Sequence, residues 1–163
     1  MARFFRRHKL LQEYKDEAAR WKWLAEHDEL TGLYNRRAFY HRAPKYLFPK
    51  SLVFVLDIDD FKQVNDTHGH DYGDQYLCEV AATLERVANA YSSLACRLGG
   101  DEFAGIFLPN ATDAIQFLEE QLFGVASIGI FLHGTGSSLR ESLGKADTVL
   151  YNIKGNRQRC QHQ

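Results

Sequence analysis

The stretch LACRLGGDEFAGIFL, residues 94–108, places an apolar segment on each side of two glycines and two acids. Apolar runs of strand length that are broken by paired glycines predict a β-hairpin. Asp101 and Glu102 then stand at its turn, where glycine lets the backbone approach a ligand closely. Because crowded carboxylates repel one another, the turn is either a solvated acidic loop or a place where a cation binds.

A second acidic segment follows a strongly apolar one. Residues 52–56, Leu-Val-Phe-Val-Leu, predict a central strand that is buried on both faces. Asp57 comes directly after it, at the end of the strand where α/β proteins bind ligands. If this strand lies beside the hairpin, Asp57 and Asp101 meet at the rim of the sheet. Two carboxylates there suit Mg²⁺, or alternatively Mn²⁺, because water and phosphate oxygens complete the coordination of such ions.

Two other metal sites fit the sequence poorly. An EF-hand calcium loop that begins at Asp57 fails, because Phe61 and Lys62 stand where that loop needs an oxygen ligand and a glycine. Zinc at His68 and His70 lacks a nearby cysteine or third histidine. The acidic segments therefore favour a hard cation such as magnesium.

The polar residues after Asp57 suit a nucleotide. Lys62 lies five residues past Asp57 and can reach phosphates held at the same site. Residues 65–74 predict a polar turn broken by glycines, which carries Asn65 and Asp74. A carboxylate there can accept hydrogen bonds from the paired donors of guanine, a pair that adenine lacks. The segment therefore favours guanine as the base.

Length and composition predict one globular domain. The 163 residues are 25% charged and 45% hydrophobic, and the formal net charge of −1 gives no general attraction to nucleic acid or membranes. Three cysteines without a CxxC pair indicate reduced thiols. No apolar stretch approaches the ~20 residues of a membrane span, and the start lacks the apolar core of a signal peptide. We therefore expect a cytoplasmic protein without a specific nucleic-acid partner.

Residues 1–27 predict a basic tail and a helix in front of a second unit, residues 28–163. They hold seven Lys and Arg against four Asp and Glu. Apolar residues recur at helical spacing and form a seam: Leu11, Tyr14, Ala18, Trp21 and Ala25. The helix could pack on the domain or pair with a second copy as a short coiled coil, a dimerisation segment. The basic residues from Arg3 to Lys9 could touch acidic lipid or nucleic acid, although a solvated tail is the simpler expectation.

The rest of the chain alternates strands and helices around the hairpin. The pattern predicts, in order, a helix at 73–89, the hairpin, a helix at 112–123 begun by Asn110 or Thr112, a strand at 125–132 and a final helix. Ser137 or Ser138 would cap the final helix, and Gly155 would end it after Lys154. This order predicts an α/β (α+β) fold in which helices flank a central sheet.

Several separated motifs make the chain resemble the GGDEF family of diguanylate cyclases over residues 28–154. The matching stretches are DELTGLYNRR at 28–37, residues 57–74, residues 97–103, SIG at 127–129 and residues 146–154. The resemblance implies a palm-like fold of the ferredoxin-like, nucleotidyl cyclase type. It also implies that two GTP molecules are condensed into cyclic di-GMP and two pyrophosphates, with Mg²⁺ as cofactor. Each chain would hold one GTP, so the active unit would be a homodimer with facing sites.

The resemblance also implies roles for individual residues. The metal would be held by Asp57, Asp101 and the Ile58 carbonyl. Asp101 or Glu102 would help deprotonate the attacking 3′-hydroxyl, and Lys62 would steady charge in the transition state. Substrate binding falls on a larger set: Asn65 and Asp74, which would read guanine, His70, Phe61 through its backbone, Arg97, Lys154 and Arg157.

The chain departs from the family pattern before the hairpin and at its end. Ala90 and Ser93 replace the arginine and aspartate of the product-inhibition motif, so feedback through that site should be absent. The arginine of the C-terminal family motif is displaced to Arg157 or Arg159. The connection at residues 123–125 is also shorter than usual, which should trim peripheral structure.

These departures leave a second interpretation open. The chain could be a catalytically weak or inactive domain that binds GTP as a sensor or regulatory module. Because residues 1–27 leave no room for a sensor domain, control is expected from expression, from helix pairing or from a separate sensor or effector protein.

Overall fold

A five-stranded mixed sheet with helices on both faces forms the centre of the protein. A computed structural model describes the backbone of residues 2–161 and the side chains of residues 6–111 and 113–157. The strands are β1 (Tyr34–Asn35), β2 (Leu52–Ile58), β3 (Leu94–Gly99), β4 (Glu102–Phe107) and β5 (Ala126–Leu132). The helices are α1 (Ala2–Glu26), α2 (Arg36–Arg42), α3 (Phe61–His68), α4 (His70–Ala90), α5 (Thr112–Gln121) and α6 (Leu139–Gln161). A single 3-10 turn, Ala43–Lys45, follows α2.

The strand β2 runs through the interior of the sheet, whose strand order is β1-β3-β4-β2-β5. It pairs antiparallel with β4 on one side and with β5 on the other. The strands β3 and β4 form the predicted hairpin, and β1 pairs in parallel with β3. The expectation that the apolar strand lies beside the hairpin is therefore confirmed.

The side chains of β2 alternate between two hydrophobic layers. Phe54 and Leu56 pack with residues of α4 and α5, and Val53 and Val55 pack with residues of α2 and α6. All four side chains are buried. Full burial of an apolar side chain of this size contributes about 1.5–3 kcal/mol. Because both faces are covered, β2 is apolar from Leu52 to Leu56 instead of alternating with polar residues, and Asp57 interrupts this run only near the end of the strand.

The helix α1 begins at residue 2, so the helix includes residues that were predicted to form a basic tail ahead of the seam at Leu11. Its last turn is joined to α2 by an ion pair between Glu26 and Arg42 at 2.5 Å. Arg37 and Asn35 also donate hydrogen bonds to the Ala25 carbonyl, at 2.7 Å and 3.0 Å. Along the rest of its length α1 exposes large apolar residues: Leu10, Leu11, Tyr14, Trp21, Trp23 and Leu24. Much of the predicted seam is therefore uncovered in the single chain.

The predicted polar turn at residues 65–74 is wrong, because these residues are mostly helical. The helix α3 runs to His68 and α4 begins at His70, so only Gly69 separates them. Gly69 has a φ of 87°, a conformation that favours glycine and allows the sharp junction. The polar residues and glycines of this stretch therefore lie at the end of α3 and the start of α4, and they do not form an open turn.

Two other helix boundaries bear on the prediction. The helix α5 begins at Thr112, one of the two predicted starts, after the N-cap residue Ala111, which makes no side-chain capping bond, and it ends at Gln121 instead of residue 123. The final helix α6 continues through Gly155 to Gln161. A glycine inside a helix costs about 1 kcal/mol relative to alanine but ends the helix only when it adopts a left-handed conformation. Gly155 does not adopt a positive φ here.

The start of α6 confirms the predicted serine cap. Ser138 Oγ accepts a hydrogen bond from the Glu141 N–H at 3.2 Å. The Glu141 carboxylate accepts one in return from the Ser138 N–H at 2.7 Å. This reciprocal pair is a capping box, which satisfies two N–H groups at the start of the helix.

Three further expectations concern thiols, the basic tail and membranes. Cys78 and Cys96 are free thiols, in agreement with the prediction. Cys160 and the side chains of Arg3 and Arg159 lie outside the described residues, so the expectations that involve them stay predictions. Between residues 2 and 161, no helix is both long enough and apolar enough to cross a membrane.

Candidate active site

The acids predicted from two separate segments meet at one rim of the sheet. Asp57 stands near the end of β2, directly opposite Glu102 on β4. The Ile58 N–H donates to the Asp101 carbonyl at 3.3 Å, which ties the end of β2 to the hairpin turn. The Ile58 side chain is buried, so only its backbone can face a ligand. The structure therefore brings together the three residues predicted to hold a metal.

Two glycines and one arginine shape the turn that carries Asp101. Gly99 and Gly100 have φ values of 145° and 56°, in the region that favours glycine. The Arg97 guanidinium donates to the Gly100 carbonyl from Nε at 2.9 Å and from Nη2 at 2.7 Å. Its Nη1 pairs with Asp28 Oδ1 at 2.9 Å. Arg97 is thus engaged with the protein itself, and its contact with substrate stays a prediction.

Burial and repulsion both act on the acids at this rim. Partial burial raises the pKa of Asp57, and the negative charge of Asp101 raises this pKa further. The ammonium group of Lys154 opposes that shift through an ion pair with Asp57. Partial burial also raises the pKa of Glu102, with additional contributions from Asp57 and Asp101. A cation bound between these carboxylates would relieve the repulsion.

Two basic residues of α6 cover the acids. Lys154 forms an ion pair with Asp57 Oδ1. Three residues further along, Arg157 Nη1 donates to Asp59 Oδ2 at 2.5 Å and to Ser127 Oγ at 3.0 Å. The Ser127 hydroxyl donates to Asp59 Oδ1 at 2.6 Å. Both predicted substrate-binding residues of α6 therefore reach the site, where they contact acids of the chain itself.

The donor set fits a magnesium ion that takes part of its coordination from a substrate. Among the residues that the structure describes, no group of three or more His, Cys, Asp or Glu side chains converges as a metal site. Asp57, Asp101 and the Ile58 carbonyl supply only hard oxygen donors. Mg²⁺ commonly binds one or two carboxylates and fills its remaining positions with water and phosphate oxygens. The residues present thus suit Mg²⁺ together with a nucleotide.

The N-terminus of α3 lies beside the acids. The helix begins at Phe61, and the preceding residue, Asp60, has a φ of 52°. Asp60 makes no side-chain capping bond, so the backbone N–H groups of the first turn are available to an anion. Lys62 is exposed at the second position of the helix. This geometry is compatible with the phosphate contacts predicted for the Phe61 backbone and for Lys62.

Close packing of α3 on α4 positions Asn65. A Cβ atom on Gly73 would lie 1.9 Å from Asn65 Oδ1, so the glycine leaves the space that the Asn65 amide occupies. Asp74 follows Gly73 on α4 and is exposed, and His70 is exposed at the start of the same helix. The side chains predicted to bind guanine therefore share one helical corner. Their contact with guanine stays a prediction.

Three polar residues of the rim were missed by the sequence analysis. Asp59 and Ser127 join Arg157 in one hydrogen-bonded cluster, and Asp28 holds Arg97 beside the hairpin turn. Asp59 follows the first predicted metal ligand by two residues, a spacing that could have suggested a shared side of the chain. Ser127 is buried on β5 and becomes recognisable only once the strand pairing is known.

Comparison with known sequences supports the resemblance. The family described as "Diguanylate cyclase, GGDEF domain" matches residues 25–122. Diguanylate cyclase DgcM of Escherichia coli K12 is 35% identical over 150 residues, which cover 80% of this chain and 36% of DgcM. This chain therefore spans little more than a third of the length of that relative.

Comparison with solved structures extends the likeness to the whole described fold. The coiled coil and GGDEF domain of DgcB from Caulobacter crescentus, in complex with c-di-GMP, matches with a TM-score of 0.81 at 29% identity, over 95% of this chain and 94% of that one. Diguanylate cyclase SiaD of Pseudomonas aeruginosa, in complex with its activator SiaC, matches with a TM-score of 0.75 at 29% identity. The match covers 95% of this chain and 67% of the SiaD chain. These neighbours confirm the palm-like sheet with flanking helices and an N-terminal helix. The chain belongs to the GGDEF domain family of diguanylate cyclases.

Proposed function

We propose that this protein is a diguanylate cyclase, which condenses two GTP molecules into cyclic di-GMP and two pyrophosphates. The observation that carries the proposal is the convergence of Asp57, Asp101 and Glu102 at one rim of the sheet. A domain that only bound GTP would not need carboxylates so crowded that they repel one another. The family membership and the relative DgcM support the same activity.

In this proposal the helical corner of α3 and α4 holds the substrate in place. The backbone N–H groups at the start of α3 and the Lys62 ammonium bind phosphates. Asn65 and Asp74 bind the edge of guanine. Fixing both ends of GTP keeps the 3′-hydroxyl and the α-phosphate in reacting positions, which supplies much of the rate enhancement in phosphoryl transfer.

The acids of the rim then move the proton. Glu102 accepts the proton of the attacking 3′-hydroxyl, for which its raised pKa makes it a better base than an ordinary carboxylate. The hydroxyl oxygen forms a bond to the α-phosphorus of the partner's GTP, and the bond from that phosphorus to the pyrophosphate oxygen breaks. Mg²⁺ bound by Asp57, Asp101 and the Ile58 carbonyl would lower the pKa of the hydroxyl and neutralise the charge that develops on the phosphate.

The reaction needs two chains, because each site holds one GTP. The exposed apolar residues of α1 offer a surface on which two copies could pair. Control by a separate protein is a further part of the proposal, for which the complex of SiaD with its activator SiaC is the precedent.

A second candidate is a GTP-binding module without turnover. The observation that favours it is the position of Lys154 and Arg157, which neutralise Asp57 and Asp59 here. If the contact between Lys154 and Asp57 persists with nucleotide bound, Lys154 does not reach a phosphate and Asp57 does not receive a metal.

An assay of the whole chain with GTP and Mg²⁺ separates the two candidates. Chromatography should show cyclic di-GMP and pyrophosphate, and Asp101→Ala and Asp57→Asn should abolish both products while circular dichroism shows an intact fold. Glu120→Ala, which removes an exposed acid of α5, is the matched control and should leave turnover unchanged. Calorimetric binding of GTP without product at every protein concentration would establish the binding module instead.

A further inference from the structure

A cluster of Asp59, Ser127 and Arg157 lies beside the acids and has no part in the activity proposed above. Both carboxylate oxygens of Asp59 are engaged, Oδ1 by the Ser127 hydroxyl and Oδ2 by Arg157. Arg157 Nη1 also donates to Ser127 Oγ at 3.0 Å, so the three groups close a ring of hydrogen bonds. Ser127 is 1% exposed, whereas the Arg157 side chain is 45% exposed. The cluster therefore joins the end of α6 to a buried point on the sheet.

The loop that this cluster holds is the one that begins α3. The Asp59 N–H donates to the Val125 carbonyl at 3.0 Å, and the next residue, Asp60, adopts the left-handed conformation. That conformation costs a residue other than glycine roughly 1–2 kcal/mol. Contacts on either side must therefore hold it. Among the residues that the structure describes, Ser127 and Arg157 donate hydrogen bonds to the Asp59 side chain.

The same contact fixes the position of a second cation. Arg157 and Lys154 are three residues apart on α6, which places them on the same face of the helix. Holding Arg157 at Asp59 therefore keeps Lys154 beside the acidic rim, within reach of Asp57 and of a bound phosphate. The ion pairs together tie the end of α6 across the acidic rim.

We propose that Arg157 is a positioning residue: it acts through Asp59 to hold the phosphate-binding start of α3 and the end of α6, and it does not itself contact phosphate. This inference deepens the proposed function. Its statement that the start of α3 binds phosphate rests on that function. It assigns to Arg157 a role that differs from the substrate contact expected from the resemblance. It also gives Asp59 and Ser127 their place in the site.

A double-mutant cycle distinguishes positioning from direct contact. Binding is measured by calorimetry with α,β-methylene GTP, which cannot release pyrophosphate, for the intact chain and for Arg157→Gln, Asp59→Asn and the double variant. Positioning predicts that each single change weakens binding about tenfold and that the double change weakens it no further. Arg157→Lys should restore much of the affinity, because an ammonium group can donate to both partners. A direct phosphate contact predicts instead that Arg157→Gln weakens binding while Asp59→Asn does not.

Hydrogen exchange of the ligand-free protein provides a readout that does not depend on nucleotide. Arg157→Gln and Asp59→Asn should equally speed the exchange of the Asp59 and Val64 amides, which donate to the Val125 and Asp60 carbonyls, and Ser127→Ala should do so to a smaller extent. Unchanged exchange at these amides would overturn the proposal. So would a double variant whose loss of affinity for the GTP analogue equals the sum of the two single losses of binding free energy. Failure of the proposed function would look different, since the variants would still show the exchange effect while the wild-type chain formed no product.

Discussion

At the scale of single residues, the missing side chain of Gly73 has a direct consequence for substrate binding. A methyl group there would collide with Asn65 Oδ1, at 1.9 Å from the added Cβ. We expect Gly73→Ala to displace the Asn65 amide and to weaken GTP binding roughly 5- to 150-fold, the range for losing a hydrogen bond worth about 1–3 kcal/mol. Calorimetry with the non-reacting GTP analogue measures the change.

The control for this substitution is Gly144→Ala. Gly144 also lies within a helix, and an added Cβ would meet no atom within 4 Å. Alanine there should raise helix stability by up to about 1 kcal/mol without altering affinity. Equal affinities in both variants would contradict the placement of Asn65 at the guanine.

Asp28 gives a prediction about stability and pH. Burial raises the pKa of Asp28, but hydrogen bonds from Thr31 and Arg97 lower it by more, so the net pKa lies below the ordinary value of 3.8. The carboxylate therefore stabilises the fold fully above the unfolded pKa, and this stabilisation is lost as the pH falls through the lower folded pKa. Asp28→Asn should lower the free energy of unfolding by about 1–2 kcal/mol at pH 7.

Urea unfolding at several pH values measures this effect. The difference between wild type and Asp28→Asn should shrink as the pH drops below about 4, where the Asp28 carboxylate of the unfolded chain begins to bind its proton before that of the folded protein does. A difference that stays constant to pH 3 would show that the charge of Asp28 is not what stabilises the fold. The exposed Glu120→Gln should leave the curve unchanged.

At the scale of elements, the exposed seam of α1 predicts self-association. Leu11 and Trp21 are 51% and 64% exposed, although both belong to the seam. We expect Leu11→Glu combined with Trp21→Glu to shift the protein toward monomer in sedimentation experiments, because charge in a coiled-coil seam is not tolerated. The GGDEF domain should keep its melting temperature. Arg20→Glu reverses a charge away from the seam and should leave association unaffected.

Elements with a single strong signal could be predicted from the sequence, and those with competing signals could not. The apolar run of β2 and the glycine-broken hairpin have no plausible alternative structure. Residues 65–74 combine helix formers with glycines and polar residues, and tertiary packing of α3 against α4 decides in favour of helix. The two-residue β1 is too short to show periodicity, and its pairing with β3 is set by the fold.

At the scale of the whole molecule, the sequence predicts that Asp57 and Asp101 meet if the apolar strand lies beside the hairpin. The strand pairing between β2 and β4 confirms this juxtaposition. The contacts of Arg157 with Asp59 and Ser127 could not be predicted, because they join residues 98 and 30 positions apart. These contacts depend on the continuation of α6 beyond Gly155. Local sequence signals predict that the helix ends there.

The measurement that tests the central claim most directly is product formation from GTP and Mg²⁺ over a series of protein concentrations. A cyclase that needs two facing sites should form cyclic di-GMP with a specific activity that rises with concentration and then levels off once dimers predominate. Asp101→Ala should show no product at any concentration. A wild-type chain that binds GTP yet forms no cyclic di-GMP, even where sedimentation shows dimers, would contradict the account.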